Sequence, residues 1–232
     1  MDSEIERTID AKRLDAFVDA AFAFAVTMLL IAGVEPISTL DGLYRALGQI
    51  PASAASFVLV VLFWLAHRDY GRITPHRDQV ATLISLALVF TVLVYVFPLR
   101  MLVDSAFHWG SGRRLPGSVL IRSFDDLRAL YTIYGLGFAG LSVLVAGLFG
   151  HAARRAVALR VSEADRVDAA DRAWIWLMVA TAGVVSALLA TLGPVPAAPW
   201  LPGAAYWLIP VMIQARILLK KRRARRAVVP AD

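Results

Sequence analysis

Residues 13 to 35, RLDAFVDAAFAFAVTMLLIAGVE, constrain this chain more than any other stretch. From Ala16 to Val34 the run is apolar except for one carboxylate, Asp19, and one hydroxyl, Thr27. About 20 consecutive apolar residues carry a helix across the hydrocarbon of a bilayer. A carboxylate near the end of such a helix is costly and marks a candidate functional position. A second pattern is superimposed. Arg13, Phe17, Ala20, Phe24, Thr27, Ile31 and Val34 recur at alternating intervals of 4 and 3, which places them on one helical face. Any packed helix shows such a repeat. Here it carries the lone hydroxyl and large side chains, interleaved with small ones. The expectation is that this face lines a pore shared between subunits.

The rest of the chain has the same character. It is 59% hydrophobic and 18% charged, where soluble domains run near half and a quarter. The apolar residues fall in long blocks, so the predicted class is an all-α membrane protein. Six transmembrane helices are expected per subunit, near 14–34, 48–67, 80–103, 130–150, 173–193 and 203–219. They form one domain, 14–219, between a short N-terminal segment, 1–13, and a basic tail, 220–232. Pro98 and Pro210 fall inside spans and are expected to kink them. The loop 104–129 is the longest connection, with room for a short interfacial helix. The link PVPAAPWLPG is expected at headgroup level.

Lys and Arg set the orientation. Eighteen lie in the termini and the 2–3 and 4–5 loops, against five on the other side, four of them in 104–129. That asymmetry puts both termini in the cytoplasm of a multi-pass cell (inner) membrane protein. The positive charge is therefore topological and not a nucleic-acid signal. The absence of cysteine removes disulfides and thiolate chemistry. The N-terminus, charged with both signs, lacks the features of a cleavable signal peptide.

Asp19 has two readings. It is either a packing ion pair or part of a polar cluster at the mouth of a conduction path, with Arg13 and His67 as candidate partners. His67, His76, Asp69 and Asp78 match no strong zinc spacing, and His67 reads as a hydrogen-bond partner for Asp19. Trp64 and Tyr70 read as interface aromatics. TIYGLG at 132–137 has its glycine and tyrosine in the wrong order for a carbonyl filter. Gly135, Gly137, Gly140 and Gly147 read instead as sites of close helix packing. No nucleophile elbow, phosphate loop or zinc-protease helix occurs, so neither an enzyme nor a cofactor is expected. No span carries the arginine ladder of a voltage sensor.

The motif Arg13, Phe17, Val18, Asp19 followed by AAFAFAVTMLL resembles the transmembrane protein 175 family of potassium channels, in its prokaryotic branch. Trp64–Leu65–Ala66–His67–Arg68 and the apolar stretch ending Phe97–Pro98 resemble the same family, so the likeness covers roughly 13–103. It implies a homotetramer of six-span subunits with helix one lining a central pore. It also implies selectivity from a hydrophobic constriction in place of a carbonyl filter. Carried over by position, Phe24, Thr27, Met28 and Ile31 form the pore and filter. Arg13, Phe17, Asp19, Trp64 and His67 form the cytoplasmic polar network. Val18 stands where the family usually has Ser, Phe24 where it has a branched aliphatic, and Ser85 near where it tends to place an Asn. The implied function is a weakly selective, potassium-permeable leak without steep voltage dependence. The implied partners are K+, the lipid bilayer and three further copies of the chain. Two other classes fit the same residues: a proton-coupled transporter using Asp19 and His67 as a relay, and a non-conducting membrane scaffold.

Overall fold

A computed structural model describes residues 2–32, 38–117 and 121–227. These form α1 (Asp2–Ile31), α2 (Leu40–Gly48), α3 (Ile50–Ile73), α4 (Gln79–Gly110), α5 (Phe124–Arg154), α6 (Glu163–Leu192) and α7 (Leu201–Ala204). A 3-10 turn (Ala205–Trp207) then leads into α8 (Leu208–Ala227). Among the described residues, five helices, α1 and α3 to α6, are long and apolar enough to cross a membrane.

Side-chain caps set several helix starts. Asp78 accepts from the Ala81 amide at 2.9 Å, and Ser162 from the Asp165 amide at 3.1 Å. At the start of α5, Ser123 and Asp126 cap each other's backbone at 3.1 and 2.9 Å. Each bond satisfies an amide that has no partner within the helix.

The boundaries depart from the sequence reading in three places. α4 runs through Pro98 to Gly110, so the expected long loop shortens to 111–123, and its described residues contain no interfacial helix. The helix stops where Gly112 and Arg113 take left-handed φ values of 65° and 67°. The unforeseen α2 is a short helix between α1 and α3, capped by Thr39. The segment expected as the sixth span is divided into α7, the 3-10 turn and α8. Pro210 therefore sits in the first turn of α8, where its missing N–H disrupts no helical bond.

α5 and α6 form the most extensively packed pair. Their crossing depends on Gly135 and Gly183. A Cβ on either would lie 2.6 Å from the other's carbonyl oxygen, so the two backbones touch. Gly137 accommodates the Tyr95 ring, but nothing lies within 4 Å of a Cβ built on Gly140, and Gly147 meets only Ile84. Two of the four glycines thus serve close packing. The core is completed by edge and tilted contacts among Phe63, Tyr95, Tyr134, Phe138, Trp176 and Tyr206, which anchor the 3-10 turn to the bundle.

Candidate pore-lining face and its anchor

Helix α1 is divided lengthwise. Val18, Phe22, Ala25 and Leu29 are 0–3% exposed and belong to the core. Their 4-3-4 spacing is the seam that faces α3 and α4. The opposite seam is Arg13, Phe17, Ala20, Phe24, Thr27 and Ile31, and every member is exposed. Phe24 is 57% exposed and Ile31 66%. Val34 lies outside the described residues. Met28 is half-buried and packs on the core, so it borders the exposed seam without standing on it.

Thr27 donates its hydroxyl hydrogen to the Ala23 carbonyl at 3.0 Å. That bond fixes the rotor, and the oxygen lone pairs are left as the group's free hydrogen-bonding capacity. A hydroxyl so arranged can accept or meet a cation but has no second proton to give.

One end of the bundle, holding the α3–α4 and α5–α6 turns, gathers most of the ion pairs; Arg100 and Asp104 pair at 2.8 Å toward the other end of α4. Arg77 donates to both oxygens of Asp15, at 3.0 and 3.2 Å, and also to the Thr74 carbonyl. Its guanidinium lies 4.8 Å from the Tyr70 ring centroid. The Arg77 side chain is 3% exposed and that of Asp15 37%. One turn further along α1, Asp19 accepts from the Trp64 indole at 2.8 Å, and Arg68 covers the Trp64 ring at 5.1 Å. Asp15 and Asp19, four apart, share a helical face and pin α1 to α3 and the α3–α4 turn.

Around them, Asp69 meets Arg172 at 2.9 Å, and Asp171 meets Arg216 at 2.8 Å. Asp78 meets His151 at 2.8 Å. Burial opposes ionisation of Asp78, but bonds from the Ala81 amide and His151 outweigh it and hold the carboxyl below the usual range.

Two expected pairings are corrected. His67 does not bond Asp19; its Nε2 lies 3.0 Å from Ser85 Oγ on α4, and the ring is 2% exposed. Trp64, a turn earlier on α3, reaches Asp19 instead. Arg13 is exposed and forms no hydrogen bond or ion pair among the described residues; Arg77 supplies the cation to this part of α1. Asp15 and Arg77 were legible only as charges near the membrane boundary. The i, i+4 relation of Asp15 to Asp19 was the signal that could have drawn attention to them.

Comparison with known proteins gives a consistent picture. Residues 13–98 match the family described as endosomal/lysosomal potassium channel TMEM175. A potassium channel of Marivirga tractuosa is 25% identical over 225 residues, covering 91% of this chain and 89% of that protein. A potassium channel of Streptomyces collinus is 29% identical over 100 residues, 41% of this chain and 48% of its own length. Among solved structures, a threonine-to-alanine variant of the potassium channel MtTMEM175 superposes with a TM-score of 0.76 at 23% identity, covering 90% of this chain and 93% of that one. A lysosomal potassium-selective channel TMEM175 homolog from Chamaesiphon minutus gives 0.61 at 19% identity, covering 89% and 97%.

Proposed function

This chain belongs to the TMEM175 family, matched over residues 13–98, and on that premise we propose that it forms a potassium-permeable channel. Four copies surround an axial path lined by the exposed seam of α1. The observation that carries the reading is the division of α1. Its own subunit buries Val18, Phe22, Ala25 and Leu29 and leaves Phe17, Phe24 and Ile31 uncovered. A second copy can cover part of a seam of that kind, and a symmetry axis leaves the remainder facing a narrow apolar throat.

An ion cannot pass such a throat fully hydrated, and an apolar ring can gate by dewetting. Potassium sheds water more readily than sodium, so partial stripping favours it weakly. The Thr27 oxygen, its hydrogen already donated inward, is suited to replace part of the lost shell. Phe24 and Ile31 would form the constriction, with Met28 at its border. Asp15–Arg77 and Asp19–Trp64 hold the lining helix in place. In this reading α7, the 3-10 turn and α8 make the sixth crossing. Both termini then lie in the cytoplasm of the cell (inner) membrane, with the basic tail beside the ion-paired end.

The test is potassium flux in proteoliposomes. Phe24→Ala and Ile31→Ala should change rate or selectivity, and unchanged flux in both would remove the seam from the ion path. A carrier would show pH-coupled flux abolished by Asp19→Asn; a scaffold would assemble and pass nothing.

A further inference from the structure

The end of the bundle opposite the α3–α4 turn holds a cavity of about 630 Å³ between α4, α5 and the link to α7. Buried Leu102 and half-buried Leu127 and Tyr131 line its inner part. Exposed Trp109, Trp200 and Arg122 stand at its outer part. The volume lies within the roughly 300–1,000 Å³ of small-molecule sites. We propose that this cavity holds an acyl chain of an anionic phospholipid, with the phosphate met by Arg122 and Arg113.

Three observations favour that occupant. The cavity opens at the ends of two apolar helices, between two exposed tryptophans, the residues that gather where headgroups meet hydrocarbon. Its charged lining is cationic. Arg122 is part of the wall, and Arg113 lies 4.6 Å over the Trp109 ring, which brings a second guanidinium to the same rim. The neighbouring carboxylate of Asp126 is turned onto the Arg122 and Ser123 amides at 3.0 and 2.9 Å, so it is engaged at the helix start. Finally, Arg113, Arg114 and Arg122 are three of the five cations that depart from the chain's charge asymmetry. Arginines retained on the disfavoured side have a physical use if they meet lipid phosphate.

No residue of α1 lines the cavity, so a lipid there is tested without reference to conduction. The experiment is native mass spectrometry of the purified oligomer in detergent, titrated with dioleoylphosphatidylglycerol or dioleoylphosphatidylcholine. The wild type should retain one phosphatidylglycerol per chain and prefer it over phosphatidylcholine. Ala106→Trp, which fills the cavity wall, should weaken binding by about tenfold or more. Arg122→Gln should erase the headgroup preference while leaving chain binding. Unchanged binding in Ala106→Trp overturns the proposal, as does a wild type that treats the two lipids alike. If Ala106→Trp alters assembly with lipid retention intact, the cavity receives a second copy of the chain instead of lipid, and the proposal fails. Should that variant not assemble, Arg122→Gln decides alone: a preserved preference overturns the site.

Discussion

Trp64 donates its indole N–H to Asp19 across 2.8 Å, and this one bond ties α1 to α3 within the first turns of its apolar run. The carboxylate is costly in that position unless a donor reaches it. Trp64→Phe keeps the ring and removes the donor, so it should lower stability by about 1–3 kcal/mol. Asp19→Asn keeps an acceptor and should cost less. Thermal unfolding of the detergent-purified protein orders the two, and equal melting temperatures would show that the bond contributes nothing.

Arg77 and Asp15 form the second anchor, with an asymmetry between the partners. The guanidinium is buried at 3% exposure, whereas the carboxylate side chain is 37% exposed. Removing Asp15 strands a buried cation; removing Arg77 leaves an anion that water can reach. Asp15→Ala should therefore destabilise more than Arg77→Met, by up to about 3 kcal/mol. The double variant should recover part of the loss, which a double-mutant cycle of unfolding temperatures would register as coupling.

Gly135 and Gly183 cross with no space for a side chain. Gly135→Ala should force α5 and α6 apart and cost about 2 kcal/mol or more, in the range of overpacked cores. Gly140→Ala meets nothing within 4 Å and should be neutral or stabilising by up to about 1 kcal/mol, the difference in helix propensity. The contrast is read from unfolding temperatures of the two variants.

These glycines show where sequence reading ends. The four in α5 looked alike because hydropathy and spacing do not say which helix approaches. Only the geometry of the α6 crossing separates Gly135 from Gly140. The exposed seam of α1 was legible because a 3-4 repeat fixes a helical face without reference to neighbours. The pairings at its base were not. His67 and Trp64 stand three apart at one end of α3, and whether each reaches α1 or α4 depends on rotation of that helix. The division of the last apolar segment was hidden for a different reason. A window of hydropathy does not register a 3-10 turn held by Tyr206 packing on Tyr134 and Phe138.

Asp78 predicts a pH dependence. Its carboxyl is held below the usual range in the folded state, against burial, by the Ala81 amide and His151. A depressed folded value means stabilisation that is present above the unfolded value of about 3.9 and is lost as pH falls through the folded value. Asp78→Asn retains an N-cap but lacks the titrating charge. The gap in melting temperature between wild type and Asp78→Asn should be steady at neutral pH and close in the acid range. A gap that persists there would show that the ionised carboxylate does not carry the effect.

Thr27 gives the sharpest test of the pore reading. Its hydroxyl hydrogen is committed to Ala23, so only its oxygen is available to an ion. Thr27→Val preserves shape and removes the oxygen; Thr27→Ser preserves the oxygen and removes a methyl. If that oxygen replaces hydration water, Thr27→Val should lower the potassium-to-sodium permeability ratio by about fivefold, corresponding to about 1 kcal/mol. Thr27→Ser should stay near wild type. Reversal potentials in bi-ionic gradients across planar bilayers measure both. A Thr27→Val channel with the wild-type ratio would place selectivity in the apolar side chains alone, and loss of all current in both variants would show that the position serves helix packing.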